Sequence, residues 1–292
     1  MKEKKYPLIG RERFEEYQGN LKTSSFDIAG TTIGTEKPLI IAGPCTVHSR
    51  QQTLESAHGV KAAGADLLRG GAFKPRTSPY SFQGLGVEGL KILAEARKET
   101  GLPIVTEVLD TRDVKLVGKY ADMLQIGCRN MQNYPLLTEV GRYAAQHEKG
   151  VLLKTGPLPK LDEVLSAAEY IALEFEKQQK TIKLILCERG VNIPANSMRN
   201  TPRPEFLAEL RRATFLPVIG DPSHSAGDRE LVPQVGKDYL NAGANGLIID
   251  ILGDHEKPVT DDGVEVCDYQ QGLRMSEFKR YLESLQNHRV PQ

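Results

Sequence analysis

The sequence lacks an excess of charge of either sign. Lysine and arginine together number 38, as do aspartate and glutamate, and the isoelectric point is near 7. Non-specific binding of nucleic acid needs a broad basic field, so we predict no nucleic-acid partner. A neutral total still leaves room for a local basic pocket.

Long apolar runs and paired cysteines are also missing. No stretch approaches the roughly 20 apolar residues that a membrane helix needs. The basic N-terminus, MKEKKYPLIGRERFEEY, has no apolar core and is not a secretory signal. The four cysteines include no C-x-x-C pair and are too few for a disulfide scaffold in 292 residues. These absences predict a cytoplasmic protein with no membrane partner.

The composition is otherwise typical of a globular protein, with 39% hydrophobic and 26% charged residues. Residues 1–36 are polar and weakly patterned, and within them FDIAGTTIG (26–34) could form a short hairpin with glycines at the turns. A regular pattern begins at Pro38. We therefore predict an N-terminal extension over 1–36 and one large domain over 37–292.

Short apolar runs alternate with longer amphipathic stretches throughout this domain. The predicted strands are 38–42, 66–70, 103–107, 122–127, 151–154, 183–187, 216–221 and 246–250. The predicted helices are 51–63, 86–100, 110–120, 134–148, 161–179, 204–212, 228–242 and 275–287. Runs that are apolar throughout suit parallel strands buried on both faces. Eight such units favour a (β/α)₈ TIM barrel, an α/β fold, over an open doubly wound sheet, and no G-x-G-x-x-G follows the first strand.

Polar groups follow every predicted strand, at the end where a barrel carries its active site. Six of them are cations: Arg69, Lys74, Arg76, Arg129, Lys154 and Arg189. Converging cations repel one another unless anions bind among them, and guanidinium groups match phosphate and carboxylate oxygens. The cluster predicts substrates with several negative charges. Glu107, which ends the third strand, either pairs with one of these cations or handles water.

A second set of strand-end residues could hold a divalent metal ion. Its members are Cys45, His224, Asp250 and Asp261. One thiol, one imidazole and two carboxylates suit Mn²⁺, Fe²⁺, Co²⁺ or Zn²⁺ better than Ca²⁺ or Mg²⁺. A lone cysteine after a strand is usually a core residue, but the Gly-Pro before Cys45 marks a special turn and favours a ligand.

Most of these residues belong to longer sequence motifs. The motifs are IAGPC (41–45), LLRGGAFKPRTSPYSFQGLG (67–86), VTEVLD (105–110), ADMLQIGCRNMQN (121–133), VLLKTG (151–156), ILCERG (185–190), LPVIGDPSHSAG (216–227) and AGANGLIID (242–250). Over about residues 38–285 the sequence resembles the 3-deoxy-7-phosphoheptulonate (DAHP) synthases, most closely their short type Iβ branch without an N-terminal regulatory domain. K-P-R-T-S with Q-G-L-G, and D-P-S-H-x-x-G, separate this branch from most other barrels.

The resemblance implies a metal-dependent transferase with a catalytic barrel over 37–292. It would condense phosphoenolpyruvate (PEP) with D-erythrose 4-phosphate and water, the first step of the shikimate pathway to the aromatic amino acids. By similarity, PEP would be held by Arg69, Arg129, Lys154 and Arg189. The sugar phosphate would be held by Arg76, Thr77 and Ser78. The metal would be held by Cys45, His224, Asp250 and Asp261. Lys74 would lie between the substrates and Glu107 would position water, so the catalytic set would be Lys74, Glu107, Cys45 and His224.

The sequence departs from the family pattern at a few positions. Asp250 stands where the family usually has Glu, Thr155 where Arg often follows the lysine, and the second aspartate ligand could be Asp261 or Asp262. A rival interpretation is therefore a paralogue that joins PEP to another phosphorylated aldose, as 3-deoxy-D-manno-octulosonate 8-phosphate synthase or a specialised-metabolism enzyme does. An alternative from another class is a non-catalytic anion-binding barrel. Because the family forms dimers and tetramers, we expect a homo-oligomer.

Overall fold

A computed structural model describes residues 5–193, 200–253, 260 and 270–291. It begins with a two-stranded antiparallel pair, β1 (Phe26–Ile28) and β2 (Thr31–Ile33). Ala29 and Gly30 form the turn with positive φ angles of 47° and 88°, and Asp27 Oδ1 accepts a hydrogen bond from the Gly30 amide at 3.0 Å. Two successive residues in the left-handed region match the twist of the flanking strands. Glycine adopts a positive φ without steric cost and therefore suits the second position of this turn.

Eight parallel strands then close into a barrel, confirming the predicted (β/α)₈ fold. They pair in chain order, and the last strand pairs with the first. The strands are β3 (Leu39–Gly43), β4 (Leu67–Arg69), β5 (Ile104–Glu107), β6 (Met123–Ile126), β7 (Gly150–Lys154), β8 (Leu184–Glu188), β9 (Val218–Gly220) and β10 (Gly246–Asp250). Every one of their residues is buried, as expected for strands covered on both faces.

Nine α-helices are found in the described part of the chain. They are α1 (Arg50–Ala63), α2 (Val87–Thr100), α3 (Val114–Tyr120), α4 (Tyr134–Gln146), α5 (Leu161–Lys177), α6 (Pro204–Ala213), α7 (Pro222–Ala226), α8 (Val232–Asn241) and α9 (Met275–Leu285). None of the helices in these ranges is long and apolar enough to cross a bilayer.

The predicted helix 228–242 differs from the structure at its start. The chain forms the short helix α7 immediately after β9, and Gly227 ends it with φ +69°. A 3₁₀ turn over Arg229–Leu231 follows, and α8 begins only at Val232. The helix 110–120 likewise opens as a 3₁₀ turn, Thr111–Asp113. The sequence pattern did not indicate α7, because a five-residue helix has too few turns to show a periodicity.

Two apolar cores hold the barrel together. The larger one lies between the strands and the surrounding helices, and the smaller one fills the barrel interior. Phe26, Ile28 and Ile33 of the hairpin belong to the interior core. A Cβ on Gly150, the first residue of β7, would meet Ile28 Cδ1 at 2.7 Å. The hairpin therefore closes the end of the barrel at which the strands begin.

Arg11 fastens the N-terminal extension to the barrel. Its guanidinium donates hydrogen bonds to the carbonyls of Asn20 and Lys22, both at 2.8 Å. It also donates to the carbonyls of Arg211 and Thr214, at 2.9 and 2.8 Å, where α6 ends. A buried guanidinium needs several acceptors, and here backbone carbonyls from both segments supply them.

Candidate active site

The C-terminal ends of the strands surround one cavity of about 470 Å³. It brings together most of the residues that the sequence predicted for the site. Those that line it are Cys45, Arg69, Lys74, Arg76, Thr77, Ser78, Glu107, Arg129, Lys154, Arg189 and His224. Asp250 is buried at the end of β10, next to two of these residues. Asp261 and Asp262 lie outside the described residues.

The turn after β3 places Cys45 at the cavity. Gly43 has φ +152°, and a Cβ there would lie 2.2 Å from the carbonyl oxygen of Arg69. Only glycine permits this approach of two neighbouring strands. The chain then turns at Pro44, and the Cys45 carbonyl accepts hydrogen bonds from Arg69 Nη2 at 3.1 Å and Lys74 Nζ at 3.0 Å. Cys45 is thereby fixed between two cations.

Cys45, His224 and Asp250 form a group that could hold a metal ion. One ligand atom from each lies within 4.8 Å of the others. His224 Nε2 is 3.8 Å from Cys45 Sγ and 3.7 Å from Asp250 Oδ2. Gln271 Nε2 donates a hydrogen bond to Asp250 Oδ2 at 3.1 Å and lies 3.9 Å from Cys45 Sγ. One sulfur, one imidazole nitrogen and one carboxylate oxygen are donors that suit a borderline transition metal.

The electrostatics of Cys45 favour the thiolate, the form that binds metal. Burial alone raises the pKa of the Cys45 thiol. Neighbouring positive charge, that of Lys74 above all and then that of Arg69, outweighs burial and holds this pKa well below its ordinary value. Cys187 shows the contrast, because burial among apolar neighbours raises the pKa of its thiol. Thiolate character therefore distinguishes the site cysteine from the core cysteine.

Two of the site cations pair with carboxylates in the described part of the chain. Arg69 Nη1 contacts Asp250 Oδ1, and Lys154 Nζ lies 2.6 Å from Asp221 Oδ2. Burial raises the pKa of Asp221, but its contacts with His224 and Lys154 hold this pKa well below its ordinary value. Asp221 is therefore an anion directly behind the wall of the cavity.

Other cations of the cavity contact neutral groups. Arg129 donates to the Pro75 carbonyl at 2.8 Å and to Thr77 Oγ1 at 3.4 Å. Arg189 Nη1 donates to Asn200 Oδ1 at 3.1 Å. Among the described residues, no carboxylate forms an ion pair with Arg129, Arg189 or Lys74. Their uncompensated charge makes the cavity suited to an anionic ligand.

Glu107 is nearly buried and points toward the cavity. Gln125 Nε2 donates a hydrogen bond to its Oε2 at 3.2 Å. A Cβ on Gly127 would lie 2.0 Å from Glu107 Oε1, so glycine makes room for the carboxylate. No cation pairs with Glu107 within the ranges that the structure describes, so simple charge pairing does not explain its position.

Sequence reasoning missed several residues of the site. Asp221 is the last residue of the predicted strand 216–221 and carried that signal, but no role was predicted for it. Gln125 lies within β6, and a polar amide in an otherwise apolar strand was a signal that could have indicated a site residue. Asn200 and Gln271 carried no signal, because both come from loops whose paths depend on the tertiary structure.

Fold and site together define a (β/α)₈ barrel enzyme whose mouth combines an anion-binding surface with a candidate metal group. The sequence model of the DAHP synthetase I family matches residues 16–290. The chain belongs to this family.

Curated relatives of two kinds are similar to the chain. The phospho-2-dehydro-3-deoxyheptonate aldolase of Thermotoga maritima is 41% identical over 283 residues, which are 97% of this chain and 79% of that protein. A 2-dehydro-3-deoxyphosphooctonate aldolase of Cupriavidus taiwanensis is 31% identical over 259 residues, which are 80% of this chain and 86% of that protein.

Solved structures agree with the sequence comparison. The crystal structure of the Thermotoga maritima DAHP synthase aligns with a TM-score of 0.84 at 39% identity, covering 97% of this chain and 77% of that one. A truncated form of 3-deoxy-D-arabino-heptulosonate 7-phosphate synthase from the same organism aligns with a TM-score of 0.82 at 36% identity, covering 97% of this chain and 96% of that one.

Proposed function

We propose that this chain condenses phosphoenolpyruvate with D-erythrose 4-phosphate and water to give 3-deoxy-D-arabino-heptulosonate 7-phosphate and inorganic phosphate. One observation carries the proposal. The cations and the Cys45–His224–Asp250 group surround the same cavity, in a chain that belongs to the DAHP synthetase I family. The reaction serves the shikimate pathway.

The anionic groups of the two substrates account for the cations of the cavity. We assign the phosphate and carboxylate of PEP to Arg69, Arg129, Lys154 and Arg189. We assign the phosphate of the aldose to Arg76, Thr77 and Ser78, which the loop after β4 places at the cavity. Lys74 belongs between the substrates, because its ammonium group lies 3.4 Å from Cys45 Sγ at the metal group.

In the proposed reaction, carbon 3 of PEP attacks the aldehyde carbon and forms the new carbon–carbon bond. Lys74 donates a hydrogen bond to the aldehyde oxygen as negative charge develops there. Water, positioned by Glu107, then adds to carbon 2. Its two protons go to the former aldehyde oxygen, which becomes a hydroxyl, and to the departing phosphate, and the bond between carbon 2 and the phosphate oxygen breaks to leave the ketone. A single donor aimed at a developing oxyanion contributes about 3 kcal/mol to such a step.

Cys45, His224 and Asp250 would hold a divalent ion, and Asp261 stays the predicted fourth ligand. The ion would supply Lewis-acid polarisation of the aldehyde carbonyl. We propose Mn²⁺, Fe²⁺, Co²⁺ or Zn²⁺, because the donor set combines sulfur, nitrogen and oxygen.

The fourth ligand can be identified by metal titration. Asp261→Asn and Asp262→Asn are compared with the control Asp228→Asn, because the Asp228 side chain is exposed to solvent. If Asp261 is the ligand, only its variant loses metal affinity. A loss confined to either of the other variants would contradict the prediction.

A panel of aldoses tests the reaction itself. Purified protein is incubated with PEP, Mn²⁺ and one aldose at a time, and phosphate release is measured. We expect release with erythrose 4-phosphate, and we expect Lys74→Met to abolish it. Lys91→Met, at an exposed lysine of α2 that pairs with Glu88, is the matched control and should retain full activity.

The panel also separates the alternatives. Similarity to octonate aldolases, together with Asp250 and Thr155, motivates a synthase that uses another phosphorylated aldose. Turnover only with arabinose 5-phosphate or another aldose would replace our proposal with that one. Zero phosphate release with every aldose would favour the non-catalytic anion-binding barrel.

The cellular setting is part of the same proposal. Cys45, Cys128 and Cys187 are free thiols, which is consistent with a reducing cytoplasm. We further propose a homo-oligomer, a dimer or a tetramer. Light scattering coupled to size-exclusion chromatography would contradict this if it gave a monomer mass of 32.3 kDa.

A further inference from the structure

Asp221 lies behind the cavity wall, in contact with two residues that line it. It follows β9 and caps α7, where its side chain accepts a hydrogen bond from the His224 amide at 3.0 Å. The same carboxylate contacts the His224 ring, with Nδ1 at 2.9 Å from Oδ2 and 3.1 Å from Oδ1. Its side chain is only 1% exposed. Asp221 can therefore act on a ligand only through its neighbours.

Lys154 also holds this carboxylate in place. Its ammonium group lies 2.6 Å from Asp221 Oδ2, and the lysine side chain is 6% exposed. A buried carboxylate without a partner is costly, whereas a paired and hydrogen-bonded one is stable. With contacts to Lys154, to the His224 amide and to the His224 ring, the carboxylate has one defined position.

The contact with the ring decides which imidazole nitrogen carries the proton. A carboxylate can only accept, so the proton stays on Nδ1 and the lone pair stays on Nε2. Nε2 is the nitrogen that faces Cys45 Sγ at 3.8 Å and Asp250 Oδ2 at 3.7 Å. A carboxylate that accepts a hydrogen bond from the second ring nitrogen of a histidine ligand orients the ring and sets its tautomer.

We propose that Asp221 is a positioning residue: held by Lys154, it presents Nε2 of His224, unprotonated, to the metal group. The inference rests on the proposed function only in taking His224 as a metal ligand. It gives Asp221, the aspartate of the D-P-S-H motif, a second role besides capping α7.

The test variant is Asp221→Asn. Asparagine keeps the size and can still cap α7, but its amide can donate to Nδ1 and so transfer the ring proton to Nε2. Asp228→Asn is the matched control, since Asp228 caps the next 3₁₀ turn by accepting from the Glu230 amide at 3.0 Å and is exposed to solvent. Both substitutions remove one carboxylate charge from a capping position.

Metal affinity is measured without substrates, by titrating Co²⁺ against a chromophoric chelator. We expect Asp221→Asn to weaken binding about 10- to 100-fold, the range found when such outer partners are removed, and Asp228→Asn to leave binding unchanged. A loss of less than threefold in Asp221→Asn would overturn the inference.

A second measurement distinguishes positioning from loss of charge. Nitrogen-15 NMR of the histidine rings in metal-free protein should show a proton on Nδ1 of His224 in the wild type and on Nε2 in Asp221→Asn. A weaker metal site with no change of tautomer would refute positioning. If the variant does not fold, the wild-type spectrum decides, because an unprotonated Nδ1 contradicts the inference. Absence of phosphate release by the wild type would contradict the proposed reaction, but it would leave the metal-binding and NMR results on Asp221 unaffected.

Discussion

Glu188 offers a stability prediction whose size follows from the structure. It ends β8, is fully buried, and lies immediately before Arg189 of the cavity. Its carboxyl accepts hydrogen bonds from the Gly190 amide at 2.8 Å and from the Tyr239 hydroxyl. Burial raises the pKa of Glu188 from 4.5 to about 7, even though these hydrogen bonds act in the opposite direction.

The sign of the effect follows from proton binding. Between pH 4.5 and 7 the unfolded chain releases the Glu188 proton and the folded protein keeps it, so stability falls as the pH rises through this window. A pKa unit corresponds to about 1.4 kcal/mol, and the shift therefore amounts to about 3 kcal/mol. The loss is complete above pH 7 and absent below pH 4.5.

The variant Glu188→Gln isolates this contribution. Glutamine has nearly the same shape, can accept from the Gly190 amide and does not titrate. Urea unfolding of both proteins from pH 4 to pH 9 gives the free energy of unfolding at each pH, and the difference between the two proteins cancels all other titrating groups. We expect the wild type to lose about 3 kcal/mol relative to the variant between pH 4.5 and 7. Parallel curves across this window would refute the reasoning.

Other predictions concern the metal group, the two anion subsites and the barrel floor. Cys45→Ala should abolish metal-dependent turnover while Cys128→Ala retains it, and full activity of the former in chelator-treated buffer would overturn the metal role. Arg76→Ala should raise KM for the aldose about tenfold or more with little change in KM for PEP. Arg189→Ala should instead raise KM for PEP with little change in KM for the aldose. Steady-state kinetics with each substrate varied checks this, and equal effects of both variants on both KM values would contradict the assignment. Ile28→Ala should lower the free energy of unfolding by about 2–4 kcal/mol by opening a cavity in the barrel interior, with kcat unchanged. A loss below about 1 kcal/mol in urea unfolding would argue against close packing of the hairpin there.

Much of the fold could be predicted from the sequence because its signals are local. Runs without polar residues mark buried strands, and glycines that permit positive φ mark helix ends, as Gly64 and Gly101 do with φ +98° and +71°. Parallel strands joined by helices must place all their C-terminal ends on one side of the barrel. The residues after each run could therefore be assigned to one cavity from the sequence alone.

The pairing of these residues depended on the tertiary structure. The sequence predicted that Arg69 and Lys154 reach the cavity, but not that Asp250 and Asp221 are their partners. It also gave no indication that Gln271, 226 positions after Cys45, lies against the metal group. Such contacts depend on the angle of each strand and on the path of each loop.

The sequence by itself determined which side chains reach the mouth of the barrel, because strand order and direction follow from local apolar patterns. Only the tertiary structure decided which charges compensate one another, which thiol ionises and which nitrogen of His224 faces the metal group. These properties vary over distances of a few ångströms, and such distances are set by packing between segments far apart in the chain.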